Sequence, residues 1–372
     1  MKFDCLKERI FVLGLAATVL TPIAALAQDA SISATRDYIA TVTKPNAPWT
    51  GPTSGPLAQK DKTIVYVSAD ERNGGALGVG AGVEEAGKAI GWTVRVLDGQ
   101  GTVSGRSSAL QQAMALKPDG IVLGTVDAKE QGELINQAAA TGIKVVGWHS
   151  VTKPGPSDEY KLFTNIATDP LDVAKAAASY AVGDSDGKAG VIIFTDSTYA
   201  IALAKSDAMA QVIKACLGCK VLDVEDTPLA EASTRMPQLT TSLLQRFGAE
   251  WTYSLSINDL TFDFMSASLT SAGVPQDGHP RNISAGDGSQ AAFQRIRDSF
   301  YQSGTVAEPL SLHGWQAVDE LNRAFAGAPP SGFVAPVHLV NWKNIGSDGG
   351  PKNVYDPDDG YRDAYTKIWN GK

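Results

Sequence analysis

Histidine and cysteine are scarce in this chain: its 372 residues hold four His and three Cys. His149, His279, His313 and His338 are too far apart in sequence for any two to share one helix face, so the usual signature of a zinc enzyme is missing. No GxSxG nucleophile elbow occurs either. The nearest approach to a phosphate-binding loop is Gly82-Val-Glu-Glu-Ala-Gly87-Lys88-Ala89, which ends on Ala where magnesium needs Ser or Thr. Its apolar spacing, Val83, Ala86, Ala89 and Ile90, reads as helix rather than open loop. Glycines 74, 75, 78, 80 and 82 follow a strand but never in the GxGxxG order of a dinucleotide site. Basic residues are also in deficit, 32 Lys and Arg against 40 Asp and Glu, a net charge of −8. No overall positive field exists to hold a nucleic-acid backbone. Nothing in the composition demands an enzyme or a cofactor, and the 43% hydrophobic content suffices for sizeable cores.

The one apolar stretch that approaches membrane length is N-terminal, where Lys2, Lys7 and Arg9 precede Ile10 to Leu20 and Ala25-Leu26-Ala27 follows as a cleavage site. Residues 1–27 are therefore expected to be a secretory signal peptide, with the mature chain released into the periplasm. Cys5 lies in the charged leader and not at the cleavage point, which argues against a lipid anchor. Cys216 and Cys219, in Ala-Cys-Leu-Gly-Cys-Lys, are then the remaining cysteines and are expected to form a local structural disulfide in an oxidising compartment. A thioredoxin-type redox pair is the sharper alternative; half of a zinc site lacks its second pair of ligands.

Residues 28–61 carry Pro45, Pro48, Pro52 and Pro56 among Gly, Ser and Thr, and are expected to form an irregular extension pinned by Trp49. From Lys62 onward, β-branched runs alternate with Ala-rich helical segments: Ile64–Val67, a helix near Gly82–Ile90, Val94–Leu97, a helix near Ser107–Leu116, Gly120–Leu123, a helix near Lys129–Thr141 and Ile143–Trp148. The pattern restarts after Leu162–Ile166 and runs through Val191–Phe194, Val221–Val224, Thr252–Ile257 and Asn282–Ala285. Such alternation predicts two α/β halves with doubly wound parallel sheets.

The strand ends carry a resemblance. Val67-Ser-Ala-Asp-Glu-Arg-Asn73, Ile143-Lys-Val-Val-Gly-Trp148-His149-Ser150, Ile166-Ala-Thr-Asp169, Ser256-Ile-Asn258-Asp259 and Ala285-Gly-Asp287-Gly288 stand in the order found in periplasmic sugar-binding proteins of the ribose/galactose type. The chain resembles that family from about Lys62 to Lys372. The resemblance implies two Rossmann-like lobes joined by a three-strand hinge, closing on a small polyhydroxy ligand and feeding it to the membrane permease of an ATP-driven (ABC) importer. Crossings near Thr168, Glu308 and Val337 would make an N-terminal lobe of 62–167 plus 309–336 and a C-terminal lobe of 168–308 plus 337–372. A chemoreceptor or sensor kinase is a further partner of such proteins, and the implied state is a monomer without cofactor.

Ligand residues carry over one position at a time. Asn73, Asn258 and Asp287 match the family pattern. His149 stands where sugar binders usually have Asp, Lys205 where they have Arg, and Glu308 at a hinge position where Gln is familiar. Trp148 and Tyr199 are candidates to stack on a sugar's C–H face, while Trp92 and Trp315 suit helix packing. Each position has a plainer reading: Asn73 and Asn258 as helix caps, Asp287 as a turn residue between two glycines, His149 as a hydrogen-bonded histidine in a turn, Lys205 as a solvated helix residue, and Glu308 as an exposed carboxylate. The rival functions are a periplasmic glycosidase or isomerase, and a LacI-type repressor, which the leader, the acidity and the missing helix-turn-helix disfavour.

Overall fold

The β-branched runs become two six-stranded sheets in the computed structural model, which describes residues 21–45 and 47–372. The expected leader lies outside the described residues over 1–20. The first sheet holds β1 (Thr63–Ser68), β2 (Thr93–Asp98), β3 (Gly120–Gly124), β4 (Lys144–Trp148), β5 (Gly155–Ser157) and β6 (Leu162–Ile166), in the order β2-β1-β3-β4-β6-β5. The second holds β7 (Gly190–Thr195), β8 (Lys220–Asp226), β9 (Tyr253–Ser256), β10 (Arg281–Ser284), β11 (Gln302–Ala307) and β12 (His338–Asn341), in the order β12-β11-β10-β9-β7-β8. All neighbours pair parallel except β5 with β6 and β11 with β12. Strands β3 and β7 are buried along their whole length, which is why they read as unbroken apolar runs, whereas the edge strands β2 and β8 stay partly exposed.

Helices cover both faces of each sheet. In the N-terminal lobe, helices Gly74–Ile90 and Leu310–Ala326 pack on one face around Tyr66, Val122 and Val146, and helices Val103–Ala115 and Gly132–Ala140 on the other around Val65, Ile121 and Leu123. In the C-terminal lobe, helices Pro170–Asp184 and Ala200–Ala215 share a core with Val191, Ile193 and Leu255, and helix Ala232–Phe247 closes the opposite face over Ile192 and Phe194. This is the doubly wound, two-lobed fold of type I periplasmic binding proteins. The chain passes between lobes after β6, after β11 and before β12, the places where Thr168, Glu308 and Val337 stand. Strand β11 and the elements after it carry too few β-branched residues in alternation to be read as strands from sequence.

Two segments differ from expectation. A helix from Thr21 to Val42 takes in the end of the expected leader and the first part of the extension, ahead of Pro45, and docks on the C-terminal lobe. Ile32 and Val42 are buried, Arg36 Nε donates to the Gly183 carbonyl at 3.2 Å, and Lys175 lies over the Tyr38 ring at 4.7 Å. Beyond the prolines the same segment crosses to the other lobe. Trp49 packs on Phe333 and Tyr365 at 5.0 and 5.4 Å, Arg323 Nη2 donates to the Ser54 carbonyl, and Asn322 binds Pro56 and Leu57. The second difference is the C-terminal helix Tyr361–Trp369, which joins the core of the N-terminal lobe, with Trp369 stacked on Trp315 at 5.4 Å. The C-terminal lobe therefore does not run unbroken to residue 372. Among the described residues no helix is long and apolar enough to cross a membrane.

Candidate functional site

Both sheets turn their carboxyl ends toward one interlobe cleft, the place where open α/β sheets bind ligands. Its walls include Asp70, Asn73, Thr125 and His149 from the N-terminal lobe and Tyr199, Lys205, Asn258 and Asp287 from the C-terminal lobe. The lobes touch: Ala200 N donates to Asp127 Oδ2 at 2.9 Å, and Arg106 Nη1 donates to the Tyr199 hydroxyl at 2.9 Å. About 40 Å3 remains in which the centre of a water molecule can sit, room for a few waters, so a ring-sized ligand enters only when the lobes part.

Local sequence explains how each group is held. Asn73 caps helix Gly74–Ile90, its Oδ1 accepting from Gly75 N at 2.9 Å, and Asn258 Oδ1 accepts from Leu260 N at 3.2 Å. Asn73 is thus a helix cap, whereas Asn258 precedes the N-cap Asp259 and makes a turn bond; both use only their oxygens, and among the described residues neither amide nitrogen has a hydrogen-bond partner. Gly75 lets the helix start approach Asp287, since a Cβ there would fall 2.4 Å from Asp287 Oδ2. Asp287 sits in a loop whose flanking glycines take φ 107° and 86°, backbone that side chains disfavour.

A residue that the sequence offered only as part of a landmark, and not as a site residue, fixes this loop. Asp259, 2% exposed, accepts the backbone N–H groups of Asp287, Gly288 and Ser289 on Oδ2 at 3.2, 2.8 and 3.0 Å. Its Oδ1 accepts from Ser284 and from Gln302 Nε2. Three successive amides converging on one carboxylate hold the loop in place, and only the fold could bring residues 259 and 287 together.

Lys205, far from being solvated, is 3% exposed and donates to the Ala285 carbonyl at 2.8 Å. Its charge acts on both the Asp287 and the Glu308 carboxylates, and a Cβ on Gly286 would lie 3.1 Å from its Nζ and 3.7 Å from Glu308 Oε1. Burial raises the Asp287 carboxyl to about 6 despite the opposing Lys205 and His149. Burial also works against ionisation of Glu308, but His149, Lys205 and His313 hold it down at about 2. Glu308 is fully buried, not exposed; it lies behind the cleft against His149. His149, Asp287 and Glu308 bring one ligating atom each within 4.8 Å of one another, a grouping that suits a cation, but Lys205 already supplies positive charge there.

Trp148 is placed away from the cleft. It is fully buried, stacks on His149 at 4.0 Å from behind, and its Nε1 donates to His313 Nδ1 at 3.1 Å. His149 leaves the strand with φ 54°, so the strand's alternation stops at Trp148, and the two rings stack with Trp148 on the core side and His149 on the cleft side. That leaves His313 neutral, its proton on Nε2, and burial lowers its pKa to about 4. Tyr199 does line the cleft, with the Arg106 guanidinium 5.1 Å over its ring. Cys216 and Cys219 form a disulfide at the far end of helix Ala200–Ala215, with Cα atoms 5.3 Å apart.

Comparison with known proteins agrees with this architecture. Residues 64–329 match the family described as the periplasmic binding protein domain. The ABC transporter periplasmic-binding protein YphF of Escherichia coli is 23% identical over 163 residues, 42% of this chain and 49% of that protein, so the match spans about half the relative's length. A sugar ABC transporter structure from Yersinia enterocolitica superposes with a TM-score of 0.71 at 18% identity, covering 86% of this chain and 99% of that one. An Agrobacterium vitis solute-binding protein with bound allitol gives 0.65 at 20% identity over 77% and 97% of the chains. A second A. vitis protein, bound with α-D-tagatopyranose, gives 0.69 at 15% identity over 79% and 99%. With two doubly wound lobes, a hinge and a polar cleft between them, the chain belongs to the periplasmic binding protein family.

Proposed function

We propose that this protein captures a small neutral sugar or polyol between its lobes in the periplasm and delivers it unchanged to the permease of an ABC importer. The observation that carries the reading is a set of polar atoms at the cleft with no protein hydrogen-bond partner among the described residues: Nδ2 of Asn73, Nδ2 of Asn258 and both carboxylate oxygens of Asp287. Buried polar groups are normally satisfied, so donors and acceptors left open at one cleft await a ligand that offers both. Hydroxyl groups do. The positive charge of Lys205 is offset within the protein by the carboxylates it faces, which suits a neutral ligand better than an ion. The A. vitis proteins of the same fold carry a hexitol and a ketohexose. Asn73, His149, Tyr199, Lys205, Asn258 and Asp287 are the proposed contacts, with Glu308 acting through His149.

A thermal-shift panel of pentoses, hexoses and sugar alcohols tests the proposal. A ligand at 100 times its dissociation constant stabilises the native state by roughly 2.7 kcal/mol, a clear rise in Tm. Response only to amino acids, nucleotides or aromatic acids overturns the sugar reading. Conversion of a bound sugar on long incubation would favour a sugar-modifying enzyme instead. A chemoreceptor or sensor kinase would read the same closed form, and the importer role is separated from it by uptake measurements in a permease deletion.

A further inference from the structure

The cleft lining is mixed. Asn73, Asn258 and Asp287 bring open polar atoms to it, while Ile201, Ala202, Leu229, Ile257 and Leu260, all from the C-terminal lobe, present aliphatic surface to the same space. Ile201 lies in the first turn of helix Ala200–Ala215, Ile257 follows β9, and Leu260 opens the next helix; each of these three is less than a tenth exposed, and Ile201 and Ile257 belong to the core of the C-terminal lobe. Leu229 N is fixed by Asp196 Oδ2 at 2.8 Å. The wall is therefore rigid and offers nothing along its side chains that bonds a hydroxyl.

Among the described residues no free aromatic platform compensates. Trp148 is shut into the core behind His149, and the Tyr199 ring, which lines the cleft, already carries the Arg106 guanidinium over one face and accepts from the same group on its hydroxyl. A pyranose hydroxylated on every carbon usually meets an aromatic plane on its C–H face and polar groups around its rim. Here one part of the ligand meets hydrogen-bonding groups and another meets alkyl groups. A ligand hydroxyl turned toward the aliphatic wall would lose its water without gaining a partner.

We propose that the cleft selects a small polyhydroxy ligand with one unhydroxylated alkyl end, a deoxy or methyl-branched sugar or polyol, over its fully hydroxylated parent. The inference rests on the sugar or polyol reading and narrows it. Discrimination of this kind, one methyl or hydroxyl against an apolar pocket, is worth about 10–100-fold in affinity.

Calorimetry on the whole exported protein with matched pairs tests it: D-fucose against D-galactose, L-rhamnose against L-mannose, and 2-methylerythritol against erythritol. At least one deoxy or methyl-branched member should bind about 10–100-fold more tightly than its partner. In Ile201→Thr, which places a hydroxyl on the wall, that ratio should shrink toward unity while the parent's affinity holds or improves. Leu260→Asn serves as a second variant, and an unchanged unfolding midpoint in either one shows that the fold is intact. Equal or tighter binding of the hydroxylated partner in every pair that binds overturns the inference and leaves the sugar reading standing. Binding of no member of any pair, nor of any sugar or polyol in the wider panel, overturns both.

Discussion

His149 Nε2 lies 2.9 Å from one carboxylate oxygen of Glu308 and 3.0 Å from the other, joining the end of β4 to the crossing after β11. The same carboxylate accepts the backbone N–H of Thr168 at 3.3 Å, on the crossing after β6. One buried side chain thus ties the cleft wall of one lobe to two of the passages between the lobes. The arrangement makes Glu308 a coupling point between what the cleft holds and how the hinge is set.

Glu308→Gln keeps the shape but removes the charge. Burial would raise the Glu308 pKa, yet His149, Lys205 and His313 bring it down to about 2, so its contribution to stability is present above the ordinary carboxylate range and is lost as pH falls toward 2. The variant should be less stable than wild type by about 1–3 kcal/mol at pH 7, and the two should converge between pH 4.5 and 2. Urea unfolding across that range checks it; parallel curves would show that the pair is not ionic.

Asp287→Asn should act in the opposite sense on stability. Burial raises the Asp287 carboxyl to about 6, so in the ligand-free protein ionisation opposes folding as pH rises from near 4 through 6. The stability of the variant relative to wild type should therefore grow over that window and level off above it. Ligand affinity should fall on the order of 100-fold, because an ionised acceptor becomes half donor. Unchanged affinity would make Asp287 a turn residue only.

The sheets were legible because buried parallel strands such as Val191–Phe194 are short apolar runs between Ala-rich helices, a local signal. Polar strand ends pointed to the cleft for the same reason: Asn73, His149, Asn258 and Asp287 each follow a strand. What sequence could not supply were relations across distance. The hold of Asp259 on three amides of residues 287–289, and the return of Tyr361–Trp369 to the first lobe, depend on partners far along the chain. Helix Thr21–Val42 was hidden by prolines that lie wholly beyond its end, which coloured the reading of the entire extension.

Trp49→Ala probes that extension. The indole sits among Phe333, Tyr361 and Tyr365, where the extension meets the N-terminal lobe. Its loss should cost about 2–4 kcal/mol in denaturant unfolding, in the range of large aromatic truncations. A change within 0.5 kcal/mol would mean that the segment adds nothing to the fold.

Cys216 and Cys219 should titrate with no free thiol in the unfolded, unreduced protein. Replacing both with Ser opens a very short loop, so the stability cost should be roughly 2 kcal/mol or less. The pair lies at the opposite end of a 16-residue helix from Tyr199, about 24 Å away along the axis, so ligand affinity should not change. Altered affinity would point to a redox or binding role instead.

Isothermal calorimetry against the sugars and polyols that raise Tm, followed by recovery and analysis of the ligand, tests the central claim most directly. The account predicts about one site per chain, binding weakened on the order of 100-fold by Asp287→Asn, and a ligand recovered unaltered. Saturable binding that ignores Asp287→Asn, or a ligand returned chemically changed, would contradict it.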